Sequence, residues 1–162
     1  MVTFGPVTRP VLRASLCAVG IAAAACSSGQ QPPPFKPVVD TKLLMQATID
    51  PTADEIWDAV RTVVTRDHTE EIRPQTNEEW LAVRNHAVTL AESGNLLMMV
   101  PRAKDGGEWM QRSQELIETS ERAIRAAEAK NAEQLFTAGG DIYEACSNCH
   151  RKYMEAIVNA NK

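Results

Sequence analysis

Cysteine is scarce in this chain of 162 residues, which contains only four, at positions 17, 26, 146 and 149. Four cysteines are too few for a scaffold built on disulfides, and the first two fall in a segment that we expect to be cleaved or modified. With 44% hydrophobic and 23% charged residues, the chain has the composition of one globular domain, which excludes a disordered chain. The folded domain therefore keeps a single pair, Cys146 and Cys149.

Basic patches and strand-like patterns are also missing from the sequence. Positive and negative charges are interspersed and the formal net charge is −4, so the sequence offers no surface suited to nucleic-acid phosphates. No stretch alternates apolar and polar residues as a half-buried strand would. We therefore expect an all-α domain that does not bind nucleic acid.

The N-terminus lacks an apolar run long enough to cross a bilayer. The run "ASLCAVGIAAAAC" has 13 residues and follows Arg9 and Arg13. This pattern predicts an export signal over residues 1–25, whose removal would change the formal charge from −4 to −6. The small residues before Cys26 resemble a bacterial lipobox, so we expect lipidation of Cys26, and an ordinary signal cut at an Ala-x-Ala site competes. Residues 26–39, rich in Pro, Ser and Gln, would then tether a periplasmic domain to the membrane.

Helical periodicity dominates the rest of the chain, in four segments. The first is predicted from about Asp40 to Arg66, with a kink at Pro51 because proline removes a backbone donor. Asp50 or Thr52 would cap the helix again at that point. The sequence therefore predicts an interrupted first helix.

Capping and glycine signals place the other three segments. The capping box Thr76-x-x-Glu79 begins the second, and Pro101 ends it. The third runs from the Gly106-Gly107 pair to about residue 130, and the fourth from about 131 to 159. In the fourth, a seven-residue repeat of the kind that forms a bundle seam connects Phe136, Tyr143, His150 and Ile157. Four amphipathic helices with mostly short connections predict an antiparallel up-down-up-down four-helix bundle over residues 40–162.

The chemistry of the sequence is concentrated in "CSNCH", Cys146 to His150. On a helix, Cys146 and Cys149 project from one face, and His150 projects from nearly the same direction one turn further on. Covalent attachment of haem needs two thiols that reach the vinyl carbons on one porphyrin edge and an adjacent imidazole that reaches the iron. The motif therefore predicts one covalently bound haem c, with His150 as an axial ligand of its iron.

Zinc and redox chemistry are the alternatives for this motif. A structural zinc site needs four ligands, and the exported chain offers only His68 and His86 besides the motif, neither at ligand spacing to it. A thioredoxin-like dithiol lies at a helix N-terminus after a strand, whereas this pair lies deep in a predicted helix. Export also agrees with haem, because bacteria complete this attachment outside the cytoplasm.

Residues 40–162 resemble the class II cytochromes c, the cytochrome c′ group. The resemblance rests on "CSNCHRKY" near the end of the last helix, where Tyr153 follows His150 at the third position. The segments "LLMQATIDPTADEIWDAV", "EEWLAVRNHAVTLAESGNLLM" and "FTAGGDIYEACSNCH" are similar to an exported bacterial subgroup of such cytochromes. The resemblance implies a four-helix bundle with covalent haem, and it allows a homodimer through the first two helices. It identifies no redox partner protein.

The second iron ligand decides the function. In an up-down bundle, the N-terminal part of the first helix faces the C-terminal part of the last, and Met45 lies there, at the distal-ligand position of the resemblance. Met98 and Met99 are the competing thioethers. A methionine ligand raises the reduction potential and closes the iron to other ligands, so we expect electron transfer. Binding of nitric oxide or carbon monoxide at an open site is the alternative, and we expect no enzyme activity because no distal His–Arg pair is evident.

Three further expectations concern residues around the haem. Gly139 and Gly140 would permit close approach of the macrocycle or of a neighbouring helix. Both His68 and His86 are expected to face solvent or to form hydrogen bonds rather than to bind iron. The candidates for pairing with haem propionates are basic residues of the second and fourth helices and of the connection after the second, namely Arg84, Arg102, Arg151 and Lys152.

Overall fold

The structure of the protein is a computed structural model that describes residues 1, 3, 5 and 35–160, with side chains in the last segment described to residue 154. The chain divides into two compact units, Met1–Pro33 and Pro34–Lys162. The predicted export signal, Cys26 and most of the predicted tether lie outside the described residues.

The first helical segment consists of three consecutive parts. Helix α1 covers Thr41–Leu44, a π-helical turn covers Met45–Ile49, and helix α2 covers Asp50–Ala59. The Asp50 N–H donates to the carbonyl of Met45, five residues earlier, as a π-turn requires. The segment runs on through Pro51 with no side-chain cap at the start of α2, so the predicted capping by Asp50 or Thr52 is wrong. Proline has no backbone N–H to donate, and the wider π-turn lets the helix continue past this gap in its hydrogen bonds. No new helix N-terminus therefore forms at Pro51.

A two-stranded hairpin follows α2 and corrects two expectations. Strand β1 covers Arg61–Val64 and pairs antiparallel with β2, Thr69–Ile72. The first helix therefore ends before the predicted boundary at Arg66, and the expectation of no strands is wrong. The run "TVVT" at positions 62–65 is β-branched, which favours extended backbone. Strands of four residues are too short to display a convincing alternation of apolar and polar positions.

The three remaining helices confirm the predictions closely. Helix α3 covers Asn77–Met98, α4 covers Glu108–Glu128 and α5 covers Ala132–Ala160. The predicted capping box is present: the Glu79 N–H donates to Thr76 Oγ1 at 3.2 Å, and the Thr76 N–H donates to Glu79 Oε2 at 3.0 Å. The described part of the chain is thus mostly helical with one small sheet.

Short connections bring successive helices into contact. Helix α3 packs against α4, α4 against α5, and α2 against both α3 and α5. Gly94 permits the first of these contacts, because a Cβ there would lie 2.9 Å from the Ser113 carbonyl oxygen. At the end of α4, the Asn131 N–H donates to the Ala126 carbonyl at 2.9 Å and the Lys130 N–H to the Ala127 carbonyl at 3.0 Å. Bonds of this pattern end one helix and permit the next to begin at once.

The buried face of α5 differs from the predicted seam by one position. Phe136 and Tyr143 are each 63% exposed, so they do not form the core seam. The buried residues alternate steps of three and four along the helix, at Leu135, Ala138, Ile142 and Ala145. The seven-residue period is therefore present, but small and aliphatic residues occupy the seam, and the larger aromatic rings lie on its flank.

Candidate haem site

Helix α5 presents the two cysteines and the histidine of the "CSNCH" motif to one cavity. Cys146, Cys149 and His150 are all partly buried, and they line the same cavity as the buried Ala145. The spacing of three and four residues places them within one helical turn of one another, as predicted. The Cys-x-x-Cys-His arrangement is therefore built by local helix geometry alone.

The cavity is lined by four helical segments. Met45, Ile49 and Asp50 come from the first segment, and Leu97 comes from the last turn of α3. The rest of the lining belongs to the early part of α4 and to α5, namely Arg112, Ser113, Leu116, Ala145, Cys146, Cys149 and His150. The structure thus brings Met45 to the same cavity as the three motif residues. Met98 and Met99, the competing thioethers, are not part of this lining.

The donor set suits a covalently held haem, although the enclosed cavity is smaller than that group. Two thiols, one imidazole and one thioether surround a cavity whose other walls include the apolar side chains of Ile49, Leu97 and Leu116. The enclosed volume is about 20 Å³, the size of a single water molecule, so a wall must move to admit a planar macrocycle. The first segment is tied to α5 beside this cavity, since Trp57 Nε1 donates to the Gly139 carbonyl at 2.8 Å.

Both thiols are held in their protonated form. Burial, followed by the charges of Asp50 and Cys149, raises the pKa of Cys146 to about 11. The pKa of Cys149 is also raised, mainly by burial, although the charge of Arg112 opposes this shift. A redox dithiol requires the opposite shift, towards a thiolate near neutral pH.

Arg112 is a site residue that sequence reasoning missed. Its Nη1 donates to Glu115 at 2.9 Å and its Nη2 to Glu108 at 3.3 Å, and these carboxylates raise the pKa of the guanidinium. The Arg112 Nε is buried without a hydrogen-bond partner among the described residues. A buried N–H donor on a cavity wall is suited to a carboxylate of a bound group. The sequence did contain a signal for Arg112. It lies three residues after Trp109 and four before Leu116, which places it on the apolar face of α4.

The basic residues proposed for propionates lie elsewhere. Arg102 is 5% exposed and donates to the carbonyls of Val39 at 3.0 Å and Leu96 at 3.1 Å, so it ties the segment before α1 to the end of α3. The other three are bonded to side chains outside the cavity: Arg84 to Asn85, Arg151 to Asn148 and Lys152 to Glu108. None of the four lines the cavity.

Tyr153, one turn beyond the motif, fixes this part of α5. Its hydroxyl donates to Asp105 Oδ2 at 2.6 Å, and its ring meets Trp109 edge-on at a centroid distance of 4.9 Å. Trp109 Nε1 in turn donates to the Leu97 carbonyl at 2.8 Å. Partial burial and the bond to Asp105 raise the pKa of Tyr153 to about 12, and the same bond lowers the pKa of Asp105. The end of α3, the start of α4 and the motif are therefore held in one arrangement.

The histidines and glycines outside the motif have structural places. His68 is exposed in the hairpin turn, where its Nδ1 lies 3.0 Å from Thr65 Oγ1, and the partly buried His86 lies on α3 outside the cavity. A Cβ at Gly139 would lie 3.2 Å from Trp57 Cδ1, whereas one at Gly140 would meet no atom within 4 Å. Close approach of a neighbouring helix is thus confirmed for Gly139 only.

Residues 35–154, whose side chains are described, contain no group of three or more His, Cys, Asp or Glu side chains placed to hold a metal ion by themselves. No helix in the described part of the chain has the length and hydropathy needed to cross a membrane. No protein-family model matches the chain, and comparisons with curated proteins and with solved structures find no match.

Proposed function

We propose that the protein is an exported c-type cytochrome with one haem that acts in electron transfer. Cys146 and Cys149 would hold the haem through thioethers, and His150 and Met45 would bind its iron. One observation carries the proposal: the first helical segment delivers a thioether to the cavity that already contains the Cys-x-x-Cys-His motif. These residue types together are the set from which a six-coordinate covalent haem is built.

We also propose the antiparallel up-down-up-down topology of the bundle. It is supported by which part of each helix lines the cavity. Leu97 lies at the end of α3, Arg112 near the start of α4, and the motif in the second half of α5. Met45 lies near the start of the first segment. Alternating helix directions bring these four parts to one end of a bundle.

The bound haem would supply an iron that exchanges one electron. The residues of the chain would determine how that iron behaves. His150 and Met45 would bind the iron, and this pair of ligands suits an iron that exchanges electrons rather than one that binds a further molecule. Ile49, Leu97 and Leu116 would exclude water from the site. The Nε of Arg112 would bind a haem carboxylate and thereby orient the group.

The remaining parts of the proposal concern location and assembly. Export by residues 1–25 and lipidation of Cys26 would place the cytochrome in the periplasm, attached to a membrane through the tether. A homodimer through the first two helices is compatible with this arrangement. Several acyl chains on one N-terminus are enough for stable anchoring, whereas a single chain is not.

Binding of nitric oxide or carbon monoxide remains the second candidate function. It is favoured by the apolar walls next to Met45, because Ile49, Leu97 and Leu116 would form a pocket for a small uncharged ligand if the thioether did not bind iron.

The optical spectrum of the purified full chain distinguishes electron transfer from gas binding. Electron transfer predicts a six-coordinate, low-spin haem in both oxidation states that does not bind carbon monoxide when reduced. A five-coordinate, high-spin spectrum would replace electron transfer with the gas-binding function, and a spectrum without haem would refute both.

A further inference from the structure

An aromatic patch lies along the groove between α2 and α5. We define it as Phe136, Gly140 and Tyr143 of α5 together with Trp57 of α2. Phe136 and Tyr143 are each 63% exposed, and the surface at Gly140 is open. Trp57 donates from Nε1 to the Gly139 carbonyl at 2.8 Å, and its ring lies edge-on to Tyr143 with centroids 6.2 Å apart. Trp57 and Tyr143 are therefore in contact, while Phe136 and Tyr143 leave most of their area exposed to solvent.

Carboxylates surround the aromatic patch. On α5, Glu133 lies one turn before Phe136 and Glu144 directly follows Tyr143, and both are exposed. On α2, exposed Asp54 lies one turn before Trp57. None of these three acidic residues forms an ion pair within the described part of the chain. We call Asp54, Glu133 and Glu144 the acidic rim of the patch.

The aromatic patch is continuous with the candidate haem site. Cys146 lies three residues after Tyr143 on α5, and His150 lies seven residues after it, so they follow on the same side of the helix. On α2, Asp54 lies one turn after Asp50, which lines the cavity. A protein seated on the patch would therefore lie beside the residues that we propose to hold the haem.

We propose that the aromatic patch is the docking surface for a redox partner protein whose own surface is rich in lysine. This inference rests on the proposed function. A small apolar centre permits close contact, while opposite charges on the rim speed association without making the complex permanent, as brief electron transfer requires. One electron would pass between the two proteins, so that one is oxidised and the other reduced by one equivalent.

The charges also distinguish a lysine-rich partner from a second copy of the chain. In a symmetric dimer built on this patch, the acidic rim of one copy would face the acidic rim of the other. Like charges placed opposite each other disfavour such a complex, whereas lysines opposite the rim favour it. The charge of the rim thus selects a basic partner.

A nuclear magnetic resonance titration of the isotope-labelled, reduced full-length holoprotein tests the proposal. The probe is a lysine-rich mitochondrial-type cytochrome c, and an acidic ferredoxin serves as the control protein. We expect the backbone amides of Gly139 and Gly140 to shift with the basic probe only, and the dissociation constant to rise with salt. Phe136→Ser and Tyr143→Ser should each weaken binding at least about 5-fold, since both would remove apolar contact from the centre of a small interface.

Matched variants elsewhere on the surface show whether a loss of binding is specific to the aromatic patch. Leu81→Ser removes an apolar side chain that is 48% exposed on α3, and it should leave the dissociation constant unchanged. Asp54→Asn with Glu144→Gln should reduce the salt dependence, whereas Glu118→Gln on the exposed face of α4 should not. Circular dichroism confirms that each variant is folded.

Two results would overturn the docking proposal. One is equal binding of the probe by the wild type, Phe136→Ser and Tyr143→Ser. The other is a dimer in sedimentation that Tyr143→Ser dissociates, which would assign the patch to self-association. Either result, obtained with a chain that carries covalent haem, leaves the proposed function intact. Absence of the haem absorbance would instead refute the proposed function itself.

Discussion

The first helical segment and the last contribute to the same cavity in different ways. Helix α5 places Cys146, Cys149 and His150 by local spacing, and its following turn is tied down through Tyr153. The first segment contributes Met45 at the start of a π-helical turn, so the position of that side chain depends on how the segment packs. The proposed attachment half of the site therefore depends on one helix, and the proposed second ligand depends on the tertiary structure.

The largest effect is expected from the local half of the site. His150→Ala would leave both thiols in place but remove the proposed axial imidazole, so the low-spin spectrum of the holoprotein should be lost. Absorption spectroscopy of the ferric and ferrous protein measures this. His86→Ala, a change of the same kind outside the cavity, should preserve the spectrum; loss of the spectrum in both variants, or in neither, contradicts the assignment.

The second largest effect is expected at Met45, which the first helical segment contributes to the cavity. Met45→Ala should convert a low-spin ferric spectrum into a high-spin one and permit carbon monoxide to bind the reduced protein, because the sixth position would be open. Met98→Ala is the matched control, since Met98 does not line the cavity. A wild-type protein that is already high-spin would show that the first segment supplies no ligand.

The stability of the chain at alkaline pH tests the burial of Cys146, when the protein is expressed without haem attachment. The pKa of Cys146 in the folded chain is about 11, against an ordinary value of 9.0. A thiol with a raised pKa contributes stability that is fully present below the unfolded pKa and is lost as pH rises through the folded pKa. The free energy of unfolding should therefore decrease between about pH 9 and pH 11, by roughly 2 kcal/mol.

Denaturant titrations at several pH values measure this loss, and Cys146→Ser should remove most of it. Asp50→Asn should move the loss to lower pH, because the Asp50 charge contributes to the raised pKa of Cys146. No effect of Asp50→Asn would mean that the first segment does not lie beside Cys146. A thiolate detected by ultraviolet absorbance near pH 7 would favour the redox dithiol instead.

The smallest expected effect compares two neighbouring glycines in α5. Gly140→Ala should stabilise the fold by roughly 0.5–1 kcal/mol, because alanine favours helix and no atom lies within 4 Å of the added Cβ. Gly139→Ala should be less stable than Gly140→Ala by about 1 kcal/mol, because its Cβ would lie 3.2 Å from Trp57 Cδ1. Chemical denaturation of the two holoproteins measures the difference. Equal stabilisation would show that Trp57 does not hold the first segment against α5.

The sequence was sufficient for features that depend on local chemistry. The capping box at Thr76 and Glu79 and the boundaries of α3, α4 and α5 follow from short patterns, and the structure confirms them. The same holds for the common face of Cys146, Cys149 and His150. Met45 lies at the same cavity as the motif, as expected from its place near the start of the first segment, and its role as an iron ligand stays a prediction.

The errors concern features that compete with helix propensity or depend on packing. The β-branched run at positions 62–65 paired with β2 because a nearby partner strand was available, and no single-strand pattern reveals a partner. The π-turn before Pro51 replaced the predicted cap, since the helix continued by changing its hydrogen bonds. Arg112 was missed because a charged residue on an apolar helix face is recognised only when its surroundings are known.

Covalent attachment of haem is tested most directly by the mass of the cysteine-containing peptide after the chain has been unfolded and digested. The purified full chain is denatured in acid and acetone, digested, and analysed by mass spectrometry. We expect the peptide containing Cys146 and Cys149 to retain the added mass of one haem, because two thioether bonds survive denaturation. An unmodified peptide, with haem recovered in the acetone, would contradict covalent attachment.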